Sequence, residues 1–264
     1  MTSSDAHNSL FSLEGRVALI TGSSRGLGYV YAKGLLEAGA SVLLNGRDVE
    51  SLDAAVASLK REIGVDDRRI ARIAFDVTDE AAVRSGIKDA ESRFGSIDIL
   101  VNNAGLQHRA PLEEFPMERW NAVLSTNLTA AFVVAKSVVP GMILRKRGKI
   151  INICSLQSEL GRRSIAPYAA SKGGLKMLTR GMAVEWANHN IQVNAIGPGY
   201  FITDMTRPLA DDPAFDGWLR GRTPAGRWGN PDELIGTLVY LASDASSFVN
   251  GQIIFVDGGI LAAI

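Results

Sequence analysis

Three residues in this 264-residue chain have the types and spacing for proton chemistry on an oxygen: Ser155, Tyr168 and Lys172. Tyr168 and Lys172 stand four apart near the start of a predicted helix, so both side chains share one face. A phenol titrates near pH ~10, too high for easy proton exchange at neutral pH. A neighbouring ammonium favours phenolate, so the pair is expected to give a tyrosine usable as a general acid/base. Ser155 lies thirteen residues earlier, just past an apolar run, where its hydroxyl could hydrogen-bond the reacting oxygen. A Tyr-x-x-x-Lys pair alone is an ordinary helix face. Its meaning depends on what else the chain brings to it.

The second constellation is Thr21-Gly22-Ser23-Ser24-Arg25-Gly26-Leu27-Gly28, after a predicted strand and opening a predicted helix. Glycines let a backbone turn sharply and approach a pyrophosphate, and a helix N-terminus offers free N–H donors and positive potential. The spacing is G-x-x-x-G-x-G, not the G-x-G-x-x-G of many dinucleotide sites. At the end of the second strand, where an acidic residue would bond ribose hydroxyls, stand Asn45-Gly46-Arg47. A guanidinium there binds a 2′-phosphate that a carboxylate would repel, and Arg25 could flank the same group. The expected cofactor is therefore NADP(H). Asp48 reads as the cap of the following helix.

These residues require a scaffold of alternating strands and helices. Expected strands are 16–21, 41–45, 70–75, 97–101, 149–154, 191–196 and 252–256. Expected helices are 26–38, 49–63, 78–94, 116–144, 167–189 and 231–242. The fold class is α/β, a Rossmann-like, doubly wound, mostly parallel seven-stranded sheet with helices on both faces. Residues 1–12 read as a flexible arm and 13–264 as one NADP-binding catalytic domain. Residues 203–228, with Pro208, Pro213 and Pro224, read as a mobile lid.

Bulk properties narrow the partners. Lys+Arg 28 balance Asp+Glu 28, which leaves no electrostatic footprint for nucleic acid or an anionic membrane. The Arg145–Arg147 cluster reads as a solvated face, and a second cluster is Arg162–Arg163. Apolar residues 128–144, interrupted by Lys136, Pro140 and Gly141, read as a buried helix and not a membrane span. Cys154, the single cysteine, reads as a small core residue and suits a reducing cytoplasm. His7, His108 and His189 are scattered, and no metal site is expected.

Taken together, these motifs resemble the short-chain dehydrogenase/reductase family from Gly15 to Gly259. The resemblance extends to Asn102-Asn103-Ala104-Gly105, Asn127, Asn194 and Pro198-Gly199. It implies that Gly22, Ser24, Arg25, Gly26, Leu27, Gly28 and Arg47 bind the cofactor. It places Asp76 and Val77 beside the adenine, and Asn103, Ala104 and Gly105 beside its ribose. It further implies that Lys172 holds the nicotinamide ribose, with Tyr168 alongside, and that Pro198, Gly199, Ile202 and Thr203 flank the ring. Asn127 is implied to support a water-linked proton relay. The implied reaction is hydride transfer at a carbonyl carbon, with Tyr168 exchanging the proton and Ser155 polarising the oxygen. A homotetramer is implied, with helices 116–144 and 167–189 in the subunit contacts.

A narrower similarity, to members of the family acting on gluconate, is carried by 106–109, 151–162, 199–201 and 222–229. It implies interconversion of D-gluconate and 5-keto-D-gluconate. Gln107, Gln157, Ser158 and Glu159 offer partners for hydroxyls, and Arg109 could pair with a carboxylate. Tyr200 and Ser155 complete the expected substrate set. Another ketone, such as a 3-oxoacyl thioester or a different sugar, is the alternative, and a non-catalytic NADP sensor is the remote one.

Overall fold

Seven short apolar runs form one sheet because each is buried on both faces, leaving no polar alternation to mark an exposed side. The computed structural model describes residues 10–264. The strands are β1 (Val17–Ile20), β2 (Ser41–Gly46), β3 (Ile70–Ala74), β4 (Ile99–Asn102), β5 (Gly148–Ile153), β6 (Ile191–Pro198) and β7 (Ile253–Val256). Their order is β3-β2-β1-β4-β5-β6-β7, and every pair is parallel. The sheet is thus wholly parallel, where the sequence indicated a mostly parallel one. The order reverses between β1 and β4, the point at which open α/β sheets leave a crevice beyond their carboxyl ends.

The helices begin where caps allow. Asp48 accepts from the Ser51 N–H at 2.8 Å to start the second helix, α2 (Val49–Ile63), which ends at left-handed Gly64. Before it, α1 (Gly26–Glu37) has no side-chain cap at all. Asp79 caps α3 (Glu80–Phe94) through the Ala81 and Ala82 N–H groups. The expected single helix over 116–144 is α4 (Met117–Leu124), a π turn at Ser125–Thr129, and α5 (Ala130–Arg145). This 117–145 run has the length and mean hydropathy, 1.6, of a membrane span, yet half of its most apolar window is buried within the fold. Pro140 is carried inside α5 without ending it. Next come α6 (Ala166–Trp186), the short α7 (Arg207–Ala210), α8 (Pro213–Arg222) and α9 (Ile235–Ala242).

Leu35, Leu36, Leu238 and Leu241 of α1 and α9 pack on one sheet face with Ile20, Leu44, Val101 and Ile151. Val83, Ile87, Val134, Val138 and Met142 of α3 and α5 pack on the other, with Leu19, Leu43, Leu100 and Ile150. A smaller cluster, Leu156, Leu219, Trp228 and Ile260, joins α8 to the carboxyl end of the sheet. The segment expected to be a lid therefore carries helices and buried anchors. Arg145 departs from the expected solvated face: it donates to the Ile97 carbonyl at 2.8 Å and lies 3.8 Å from Asp98. Cys154 is buried, as expected. The expected arm falls mainly on residues 1–9, which lie outside the described residues.

Candidate active site

The carboxyl ends of the central strands gather the chemistry-bearing residues. After β1, Gly22 and Gly26 adopt φ of 62° and 58°, conformations that side-chain-bearing residues disfavour. Gly28 presses so closely on the turn that an added Cβ would lie 2.3 Å from the Gly22 carbonyl oxygen. Asn103, past β4, closes the other side by donating to the Thr21 and Gly22 carbonyls, both at 2.9 Å. The Asn103 and Ala104 N–H groups donate to Thr21 Oγ1. Ser24 and Leu27 are half-buried, and Arg25 is exposed. The first turn of α1 has neither a capping side chain nor an acidic residue, so its N–H groups face an open, positive end. A close-packed glycine cradle before an uncapped helix fits a pyrophosphate.

At the end of β2, Asn45 is not a rim residue. It is fully buried and donates to the Ile73 and Phe75 carbonyls at 3.0 and 3.2 Å. Arg47 is exposed, its nearest carboxylate being Asp76 at 3.7 Å. Asp76 also accepts from the Thr78 N–H and hydroxyl. Its carboxyl is held below the usual range, because the Thr78 hydrogen bonds and the Arg47 charge outweigh the largest single influence, burial, which acts upward. Val77 is buried. Gly105 packs near Asn127. Pro198 ends β6, and Gly199, backed against Asp257, leads into Tyr200, Ile202 and Thr203.

Ser155 follows β5, and its backbone and hydroxyl form a reciprocal cap with Ser158 and Gln157. The Ser155 hydroxyl donates to Gln157 Oε1 at 2.6 Å. Ser158 in turn donates to the Lys172 carbonyl at 3.1 Å, tying this turn to α6. Lys172 is buried, and its ammonium donates to the Ile153 carbonyl at 2.6 Å while lying 5.7 Å from the Tyr168 ring centroid. One turn of α6 thus carries both groups.

Burial dominates the titration of both groups. Burial pushes the Tyr168 phenol above its ordinary value, and the Ser155 hydroxyl opposes this only in part. Burial brings the Lys172 ammonium down to about 8. The ammonium is turned onto a carbonyl and not onto the phenol oxygen, so desolvation outweighs charge attraction here. Tyr168 is accordingly a protonated phenol at neutral pH. Lys172 is not among the groups that act on the phenol in this arrangement.

Asn127 lies in the π turn. Its side chain exchanges hydrogen bonds with the Leu106 N–H and carbonyl at 2.8 and 3.0 Å and donates to Ser171 at 3.1 Å. Ser171 donates to the Tyr168 carbonyl at 2.7 Å. The irregular turn therefore fastens the loop after β4 to the start of α6.

Of the expected substrate residues, Gln157 reaches Ser155, whereas Glu159 is taken up by Lys176 in an ion pair. Gln107 and Arg109 lie on the loop after β4, joined to the loop after β5 by the Ala110 N–H donating to the Ser164 carbonyl. Burial and the Arg162 charge beside it push the Arg109 guanidinium down. Arg162 donates to the Tyr200 hydroxyl at 3.2 Å and lies 4.5 Å from the Phe215 centroid. Sequence reading grouped Arg162 with Arg163 and placed it at the end of the segment 151–162, without a role of its own. Its contacts lie 38 and 53 residues away, so spacing within that segment gave no sign of them.

The family model described as enoyl-(acyl carrier protein) reductase matches residues 22–261. The chain belongs to the short-chain dehydrogenase/reductase family. It is 53% identical to gluconate 5-dehydrogenase of Gluconobacter oxydans (strain 621H) over 98% of this chain and 100% of the relative. Identity to 5-keto-D-gluconate 5-reductase of Escherichia coli (strain K12) is 52%, over 97% of this chain and 100% of the relative. A crystal structure of a gluconate 5-dehydrogenase from Burkholderia cenocepacia J2315, in complex with NADP and tartrate, matches with a TM-score of 0.94 at 52% identity. That match covers 98% of this chain and 100% of the other.

Proposed function

We propose that this protein is an NADP(H)-dependent oxidoreductase interconverting D-gluconate and 5-keto-D-gluconate. The observation carrying the reading is the convergence of Ser155, Tyr168 and Lys172 beside an uncapped glycine turn. It occurs in a chain more than half identical, end to end, to a gluconate 5-dehydrogenase. The neighbour holding NADP supports the cofactor.

Gly22, Ser24, Arg25, Gly26, Leu27 and Gly28 would hold the pyrophosphate, and Arg47 the 2′-phosphate. Asp76 and Val77 would border the adenine, with Asn103, Ala104 and Gly105 at its ribose. Pro198, Gly199, Ile202 and Thr203 would flank the nicotinamide, and Lys172 its ribose. When bound, the nicotinamide supplies or accepts the hydride.

The protein's own part is proton management. In reduction the Tyr168 phenol gives its proton to the carbonyl oxygen, and burial keeps it protonated for that step. Ser155 would turn its hydroxyl proton from Gln157 to donate to the same oxygen. Lys172 supplies positive charge to the phenolate that forms, and Asn127 supports the relay that returns a proton to it. Gln107, Gln157 and Tyr200 would meet substrate hydroxyls, and Arg109 the carboxylate.

The assembly is proposed as a homotetramer in the cytoplasm. Exposed apolar Phe132 on α5 and Met177 and Val184 on α6 would enter the subunit contacts. The test is NADPH absorbance with 5-keto-D-gluconate, using NADH and a 3-oxoacyl thioester as comparisons. Fast turnover only with NADPH and the sugar acid is expected. Preference for the thioester would overturn the substrate, and no turnover of any ketone would favour a sensor.

A further inference from the structure

Arg109 and Arg162 stand on two adjoining loops, where the charge of Arg162 acts on Arg109. Their loops are stitched together by the Ala110–Ser164 backbone bond at 3.2 Å, which helps hold Ser164 at a φ of 68°. Among the described residues neither arginine has a carboxylate within 4.0 Å, whereas nine other arginine and three lysine side chains, Arg16, Arg47 and Lys176 among them, do find acidic partners along the chain. Arg162 is held in place by neutral groups: the Tyr200 hydroxyl at 3.2 Å and the Phe215 ring at 4.5 Å. Stacking fixes the guanidinium plane, and Tyr200 uses one of its five N–H groups, leaving an edge free to donate.

We propose that Arg162 is the second half of the substrate-carboxylate site, working with Arg109, and that its seat on Phe215 fastens α8 over the bound acid. The inference rests on the reading of the substrate as a polyhydroxy acid. An anion placed between the two guanidiniums removes their mutual repulsion, which an unliganded pair must bear. The depressed titration of Arg109, caused by burial and by Arg162, reports that repulsion. The cofactor's 2′-phosphate is not the anion concerned. Its proposed partner Arg47 follows β2, three strands from β5 in the sheet order, or about 14 Å away. The carboxylate site also adjoins the chemistry, because Arg162 belongs to the same connection as Ser155 and Gln157.

The coupling to α8 follows from the aromatic contacts. Phe215 lies 5.2 Å from Trp218 and 6.2 Å from Trp228, and the Trp228 indole donates to Asp216 at 2.7 Å. Two tryptophans therefore sit within reach of any movement of Arg162.

The experiment compares the wild-type enzyme with Arg162→Met, which keeps length and apolar contact, and Arg162→Lys, which keeps charge without the fork. Steady-state reduction of 5-keto-D-gluconate is measured beside tryptophan fluorescence titrated with D-gluconate and with neutral D-glucitol. Loss of one charged hydrogen-bonding partner is expected to raise KM for the acid about 10- to 100-fold in Arg162→Met. The lysine variant should fall between that and the wild type. Maximal turnover and NADPH affinity should stay within about twofold, because the interaction is uniform between ground and transition state. D-gluconate should change the wild-type fluorescence, D-glucitol should not, and Arg162→Met should respond to neither. Wild-type turnover with unchanged KM in both variants overturns the carboxylate site and leaves the reaction intact. D-gluconate binding without turnover removes the reaction and leaves the site standing. Neither binding nor turnover overturns both.

Discussion

Replacing Gly28 by alanine should disable the cofactor turn by collision with backbone. The new Cβ would lie 2.3 Å from the Gly22 carbonyl oxygen, 2.6 Å from Asn103 Nδ2 and 2.8 Å from the Ser23 Cα. Two of these atoms are main chain, and the third belongs to an amide already held by two carbonyls at 2.9 Å. None can swing aside as the tip of a flexible side chain would. Overpacking of this kind costs about 1–3 kcal/mol, and displacing the Gly22 carbonyl forfeits a hydrogen bond of about 1 kcal/mol. The sum, about 2–4 kcal/mol, lowers the melting temperature of a domain this size by roughly 5–15 °C. Thermal unfolding is then repeated with NADPH. At one hundred times its Kd, a ligand stabilises the wild type by about 2.7 kcal/mol, and the same concentration should leave Gly28→Ala unshifted. Gly26→Ala is the internal control for stability. Its φ is 58° but no atom lies within 4 Å of the added carbon, so it should lose only the left-handed strain of about 1–2 kcal/mol. A Gly28→Ala protein that melts with the wild type and keeps its NADPH shift would refute the close-packed cradle.

Three other outcomes follow from the geometry. Arg47→Ser should raise KM for NADPH about 10- to 100-fold and leave NADH within about twofold. Its melting temperature should not move, since the exposed 3.7 Å pair with Asp76 contributes little. Tyr31→Phe should stabilise the protein by about 1 kcal/mol in urea unfolding, because the fully buried phenol oxygen of Tyr31 has no hydrogen-bond partner among the described residues. A destabilised variant would mean that a partner exists. Ketone reduction should weaken as pH rises through about 8, where Lys172 loses its charge, and the residual activity of Lys172→Met should lack that limb. A flat profile in the wild type would contradict the buried ammonium.

The sheet was legible because its strands are apolar on both faces and its turns carry their own chemistry. The run at 41–45 reappears as β2, and Asp48 caps α2 as its position after Arg47 suggested. The break at Ser125–Thr129 was not legible. A π turn keeps helical side-chain periodicity nearly intact, and only the hydrogen bonds of Asn127 to Leu106 and Ser171 explain its place. Pro140 lies within the helix expected over 116–144, and α5 does run through it, with tertiary packing of Val138, Val139 and Met142 holding both sides. At 203–228 the Asp212-Pro213 start of α8 was visible in principle, but its burial against Leu156 and Ile260 is a long-range fact.

The site divides the same way. Ser155, Tyr168 and Lys172 were legible from spacing, since a four-residue step fixes a shared helix face. The direction in which Lys172 points was not, because the Ile153 carbonyl that receives it belongs to another element. Glu159 looked like a substrate contact for the same reason: Lys176, its partner, is brought alongside by the turn joining β5 to α6. Asn45-Gly46-Arg47 was legible as the end of the second strand, but not the burial of Asn45. The carbonyls of Ile73 and Phe75 claim the Asn45 amide, whereas Arg47 lies past the end of β2 and is exposed.

Removing one oxygen tests the proton-transfer account most directly. Tyr168→Phe keeps the ring and the helix, so NADPH binding followed by fluorescence should match the wild type. Reduction of 5-keto-D-gluconate should fall about 10²- to 10⁴-fold with the loss of the acid. Turnover within a few-fold of the wild type, at equal NADPH occupancy, would place the proton donor elsewhere and contradict the mechanism.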